Sequence, residues 1–155
     1  MTGRIEANLK DLGITLPRAA APAANYVPWV ISGNLLFVAG QLPMEAGQIA
    51  VTGTLGTGVT LEVGQRAARL CAINIIAQAR AALGDLDRIK RIVRLGGFVA
   101  SANGFTDQSK VVNGASDLMV AVFGDAGRHA RAAVGVNVLP LGAAVEIDAI
   151  IEFAG

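Results

Sequence analysis

Residues 145–153 alternate strictly: Val145, Ile147, Ala149, Ile151 and Phe153 are apolar, and Glu146, Asp148 and Glu152 stand between them. A period of two marks a strand with one buried face. Residues 132–139 repeat the pattern through Val134, Val136 and Val138, and the β-branched run Ile89–Val99 predicts a further strand. Near the N-terminus, Tyr26–Ile31 and Leu35–Val38 flank Ser32, Gly33 and Asn34, residues suited to a hairpin turn. Elsewhere the period changes to that of a helix. Leu61–Leu83 predicts a long helix with Leu70, Ile73 and Ala77 on one side, Thr60 as N-cap and Gly84 as stop. Asp107–Phe123 predicts a second, with Asp107 as N-cap and Val111, Val112, Ala115, Leu118, Met119 and Val122 as its buried stripe. Ile5–Leu12 predicts a short third, and Gly13 ends it. Met44–Thr60, rich in Gly and Thr, reads as loop with at most short strands.

After the short helix the order is β-β-α-β-α-β-β. That order predicts an α+β fold, a mostly antiparallel sheet with two helices on one face. We expect one domain over 1–155, in which 1–24 form a helix-and-coil extension. Two helices cover one sheet face, so the other face needs a partner.

Composition sharpens this expectation. Of the 155 residues 53% are apolar and 16% charged, against about 25% charged in an average domain, and mean hydropathy is +0.52. So few charges leave apolar surface for a further subunit, which predicts a homo-oligomer. Thirteen basic and twelve acidic residues balance to +1, so nothing drives binding to a phosphate backbone and no nucleic-acid partner is expected. With Cys71 and His129 as the lone residues of their kinds, no internal disulfide or metal centre is expected. Ala19–Met44 carries no charge, yet Pro22, Pro28 and Pro43 with several polar residues rule against a membrane helix. Residues 1–13 do not resemble a secretory signal, and a cytoplasmic protein is expected.

Candidate chemistry lies in the last two predicted strands. Fourteen uncharged residues separate Arg131 from Glu146, with Pro140–Gly142 midway. A turn there sets the strands side by side and Arg131 near Glu146 or beyond it. Such a pair is either an acid/base site or an ordinary cross-strand ion pair. His129 is either a base or a solvated loop histidine. Cys71, mid-helix among apolar residues, reads as core. The glycines at 53, 56 and 58 match no phosphate loop. Tyr26 and Trp29 are either a pocket wall or hairpin packing.

Three segments together resemble the YjgF/Rid family of reactive-intermediate enamine/imine deaminases, also labelled L-PSP endoribonuclease-like. They are Tyr26 leading to Ala-Gly-Gln-Leu-Pro at 39–43, Val112–Asn113, and Ala130–Val134 followed by Leu139–Pro140 and Val145–Ala149. The resemblance runs from about Tyr26 to Phe153, and the Ile5–Val30 extension resembles a branch without an established activity. It implies a chorismate-mutase-like sandwich, assembled as a homotrimer with clefts between neighbouring subunits. It also implies that Arg131 binds a substrate carboxylate and Glu146 positions water and shuttles protons. By the same resemblance, Tyr26 and Asn113 line the cleft, Gly40 lines it with backbone, and the N–H of Ala133 helps hold the carboxylate. Two positions depart from the family pattern: Ala39 stands where serine is usual, and Ala133 where cysteine is usual. The activity implied is hydrolysis of 2-aminoacrylate-type enamines and imines to 2-keto acids and ammonia, without metal or cofactor. The alternative is a non-catalytic sensor of small carboxylates or keto acids in the same cleft.

Overall fold

The computed structural model describes residues 3–22 and 24–155. Helix α1 (Arg4–Asp11) opens the chain. Strands β1 (Trp29–Ser32) and β2 (Leu35–Gln41) form the hairpin, and Gly33 takes positive φ in its turn. Four two-residue strands follow: β3 (Met44–Glu45), β4 (Gln48–Ile49), β5 (Thr54–Leu55) and β6 (Gly58–Val59). Then come α2 (Leu61–Leu83), β7 (Ile89–Ala100), α3 (Gln108–Phe123), β8 (Ala130–Val136) and β9 (Val145–Phe153).

The five longer strands form one sheet in the order β1-β2-β9-β7-β8. All neighbours are antiparallel except β7 and β8, which run parallel. Parallel neighbours need a crossover, and α3 supplies it. This corrects one expectation. The strands carrying Arg131 and Glu146 are not neighbours, because β7 lies between them. The segment around Pro140 crosses from one to the other rather than turning a hairpin.

Helices α2 and α3 pack together on one sheet face. On that face stand Leu95 and Val99 of β7 and Val145, Ile147 and Ala149 of β9, all buried. The stripe expected on α3 is buried in full. On α2 the core-facing stripe is Ala68, Cys71, Ala72, Ile75, Ile76 and Ala79, rather than the one through Leu70, Ile73 and Ala77. Leu70 and Ala77 are buried to one side, and Ile73 is half-buried. Small residues permit this, because α2 and α3 approach until a Cβ on Gly114 would collide with the Gln65 carbonyl. Thr60 caps α2 as expected, its Oγ1 accepting from the Val63 N–H at 3.2 Å. Asp107 makes no such cap and instead pairs with Lys110 at 3.4 Å.

The N-terminal segment belongs to the same core. Ile5, Leu9, Ile14 and Leu16 are buried in it. Gly3 offers no capping side chain to α1. Asp87 replaces it, accepting from the backbone N–H groups of Arg4 and Ile5 at 2.8 Å each. Asn8 donates to the Val122 carbonyl at 2.8 Å, fixing the helix against the end of α3. Among the described residues no helix is long and apolar enough to cross a membrane.

Candidate active site

The six candidate residues fall into two groups. Glu146, Gly40 and Tyr26 meet at a cavity of about 320 Å³. Arg131, Asn113 and Ala133 lie on the helix-covered side of the far sheet edge.

Alternation along β9 explains the first group. Val145 and Ile147 point to the helices, so Glu146 points to the open face, opposite Phe98 of β7. Its other neighbour, β2, is irregular here. Val38 pairs with Ala149 and Gln41 with Ile147, so one extra residue is accommodated around Ala39–Gly40. The Glu146 carboxylate fills the space beside Gly40, and a Cβ at residue 40 would lie 2.7 Å from Oε2. Half-burial raises the Glu146 pKa above the ordinary carboxylate value, and the charge of Asp148 adds to the rise. Tyr26 lies in a bend ahead of β1 instead of starting that strand. Pro28 has no N–H to give to a ladder, so regular pairing begins at Trp29.

Two residues that the sequence reading did not single out shape this cavity. Gln78 of α2 is buried and donates to the Ala20 carbonyl at 2.8 Å and to Gln41 Oε1 at 3.4 Å. Asn74, one turn earlier, donates to the carbonyls of Leu42, Met44 and Leu70 within 3.2 Å. Their signal is an amide pair four residues apart within a helix that is otherwise apolar at those positions.

The second group is a hydrogen-bonded cluster. Arg131 Nη1 donates to Asn113 Oδ1 at 2.8 Å and to Ser116 Oγ at 3.0 Å, and Nη2 donates to the Ser109 carbonyl at 3.0 Å. Of the five N–H groups of a guanidinium, two therefore remain without a partner among the described residues. Behind Ser116 stands His129. Its Nδ1 lies 2.6 Å from the Gly127 carbonyl, which only accepts, so Nδ1 carries the hydrogen. In the neutral ring Nε2 then accepts from the Ser116 hydroxyl at 2.8 Å. His129 is therefore neither a solvated loop residue nor an exposed base: it backs the group that holds Arg131. Ala133 shares the face of Arg131, opposite Gly97, where the absence of a side chain lets Val112 of α3 pack directly on β7.

The two groups do not meet within one chain. Arg131 pairs across with Leu95 and Glu146 with Phe98, three residues apart along β7, so their side chains leave opposite faces of the sheet. Two strand spacings and three residues of rise also separate their backbones by about 14 Å. Cys71 is buried, and its thiol lies 3.6 Å from the Val145 carbonyl. Burial first and the Glu146 charge second push its pKa up, so it stays a neutral core residue.

Comparison with known proteins agrees with the fold. A family model described as "YjgF/chorismate_mutase-like, putative endoribonuclease" matches residues 6–153, a span that begins well ahead of Tyr26. The chain belongs to the YjgF/RidA family, whose members are associated with RidA-type deaminase chemistry. It is 58% identical to Protein TCP17 of Trypanosoma cruzi, over 97% of this chain and 95% of that one. It is 59% identical to the crystal structure of Atu1372, a protein of unknown function from Agrobacterium tumefaciens, with a TM-score of 0.92 over 97% of this chain and 93% of that one. RidA from the Antarctic bacterium Psychrobacter sp. PAMC 21119 is 26% identical, with a TM-score of 0.63 over 88% of this chain and 94% of that one.

Proposed function

We propose that the protein hydrolyses enamines and imines of 2-amino acids to 2-keto acids and ammonia, at sites completed between copies of the chain. The observation that carries this reading is the exit of Arg131 and Glu146 from opposite sheet faces. One small substrate cannot touch both in one chain, but it can lie between the Glu146 cavity of one copy and the Arg131 cluster of its neighbour. Surface chemistry supports association in a homotrimer. The open face exposes Val30, Phe37 and Val134, and the edge strand β8 offers an unprotected run of alanine, glycine and valine.

The free guanidinium N–H groups of Arg131 suit a planar carboxylate, and the Ala133 N–H and Asn113 extend that side of the site. Water then adds to the imine carbon, and Glu146 takes the proton that water loses. The same carboxyl returns that proton to nitrogen, which gives the carbinolamine. It then takes the carbinolamine hydroxyl proton and passes it to nitrogen as the carbon–nitrogen bond breaks, so the keto group forms and ammonia leaves. A carboxyl with a raised pKa suits this shuttle better than an ordinary one. Alanine at 39 and 133, which supplies neither the hydroxyl nor the thiol usual at those two positions, favours the second reading, a keto-acid sensor without turnover.

Subunit mixing tests the proposal. Arg131→Ala and Glu146→Gln are each expected to be inactive toward enzymatically generated 2-aminoacrylate. Randomly mixed assemblies are expected to recover about a quarter of wild-type activity, the share of clefts that pair an intact Glu146 with an intact Arg131. No recovery in verified mixed assemblies would overturn the shared site. Keto-acid binding with no wild-type turnover would replace the deaminase with the sensor.

A further inference from the structure

The cavity beside Glu146 is larger than the vinyl group of 2-aminoacrylate requires. Its volume of about 320 Å³ is that of roughly ten waters in the liquid. In the proposed reaction the substrate carboxylate belongs to Arg131, so this space remains for the substituent on the other side of the imine carbon.

The walls define what that substituent can be. Ala20, Ala21 and Pro22 of the N-terminal segment form one wall, and Leu42, Met44 and Leu141 form others. Polar side chains also border it, but two of them are already engaged. Gln78 gives its amide hydrogens to Ala20 and Gln41, and Gln41 donates to the Ala39 carbonyl at 3.0 Å. No lysine or arginine lines it among the described residues, and Glu146 is itself acidic. An acidic substituent would meet repulsion, and a polar one would lose water bonds with few replacements. Leu141, at the rim, is 74% exposed and holds a positive φ of 60°. Such a backbone is unusual for leucine, and residues of this kind gather at ligand clamps.

We propose that residues 20–22, with Leu42 and Leu141, form a side-chain subsite selecting imines and keto acids that bear aliphatic substituents. This rests on the reading of Glu146 and Arg131 given above. The wall is a fixed part of the fold, because Gln78 holds Ala20 and buried Ile14 and Leu16 anchor the segment before it.

The test is a chain-length series read by two methods. Turnover is measured on 2-aminoacrylate and on imines from 2-aminobutanoate, norvaline, norleucine and glutamate, generated by an amino-acid oxidase. Affinity is measured by calorimetry on the matching keto acids. Specificity and affinity are expected to rise roughly fourfold per added methylene, and the glutamate-derived members are expected to be the poorest. Ala21→Trp, at an exposed position, fills the cavity and is expected to bring the longest-to-shortest ratio down to about one. Leu141→Ala, which alters only an exposed side chain, is expected to lower the same ratio. Melting temperatures confirm that the variants fold. A flat series in the wild type, or a slope that survives Ala21→Trp, overturns the subsite. If no imine is turned over but keto-acid affinity rises with length and Ala21→Trp abolishes the rise, the subsite stands and the deaminase falls.

Discussion

The Glu146 carboxylate occupies the space that a side chain on Gly40 would need. A methyl group there would stand 2.7 Å from Oε2 and 2.9 Å from Cδ. Gly40→Ala is therefore expected to displace the carboxylate rather than unfold the sheet edge. Overpacking of this kind costs about 1–3 kcal/mol, while misplacing a reacting group lowers turnover by about a hundredfold. Denaturant melts and turnover of 2-aminoacrylate check the two effects separately. Unchanged turnover would show that Glu146 does not act from this position.

Glu146 also links stability to pH. Its folded pKa is raised, first by burial and then by Asp148. The folded state therefore prefers the protonated carboxyl, and that contribution is fully present below the unfolded pKa and lost as pH rises through the folded one. Glu146→Gln, neutral at every pH, is expected to melt above the wild type at pH 7–8, with the gap closing toward pH 4. Melting curves across that range decide it, and a variant less stable at neutral pH would refute the assignment.

Asp87 works in the opposite sense. Backbone N–H groups of Ile5 and then Arg4 lower its pKa. Its support for α1 is present above the unfolded carboxylate pKa and fades as pH falls through the folded value. Asp87→Ala removes a cap and is expected to cost about 1 kcal/mol at neutral pH, and less in acid. Hydrogen exchange at Ala7 and Asn8 reads the loosening directly.

Ser116 is the joint between His129 and Arg131. Removing its hydroxyl leaves one Arg131 N–H without its partner and His129 Nε2 without a donor. Ser116→Ala is expected to raise KM for imine substrates several-fold, with a smaller effect on kcat, because carboxylate binding is what Arg131 supplies. Ser116→Thr, which keeps the hydroxyl, is expected to restore KM. A fall in kcat alone would argue against an anchoring role.

Elements with a long, clean period were legible in the sequence. Leu61–Leu83 and Val145–Phe153 have the bounds that alternation and capping residues predict. Strand neighbours were not. The proximity expected for Arg131 and Glu146 assumed that consecutive strands pair, and the parallel placement of β8 beside β7 is a long-range outcome without a local pattern. Glu146, Asp148 and the core residues between them follow from period two alone. Arg131 and Tyr26 were candidates on pattern with an ordinary structural role open beside each; Asn113, Gly40 and Ala133 were selected only through the family resemblance. Ser116, Asn74 and Gln78 escaped notice because a polar residue in a helix, even one of a pair a turn apart, looks like any solvent-facing one. What sets them apart is their partners 13 to 58 residues away.

Gln78 grips the N-terminal wall by the carbonyl of Ala20, a group that every residue type carries. The side chains at 20, 21 and 22 take no part in that attachment. Anchoring and lining are thus written in different atoms, so substitutions at these three positions can retune the cavity while the tether remains in place. Selection, natural or in the laboratory, has here a short stretch of chain on which to explore new specificities at little risk to folding.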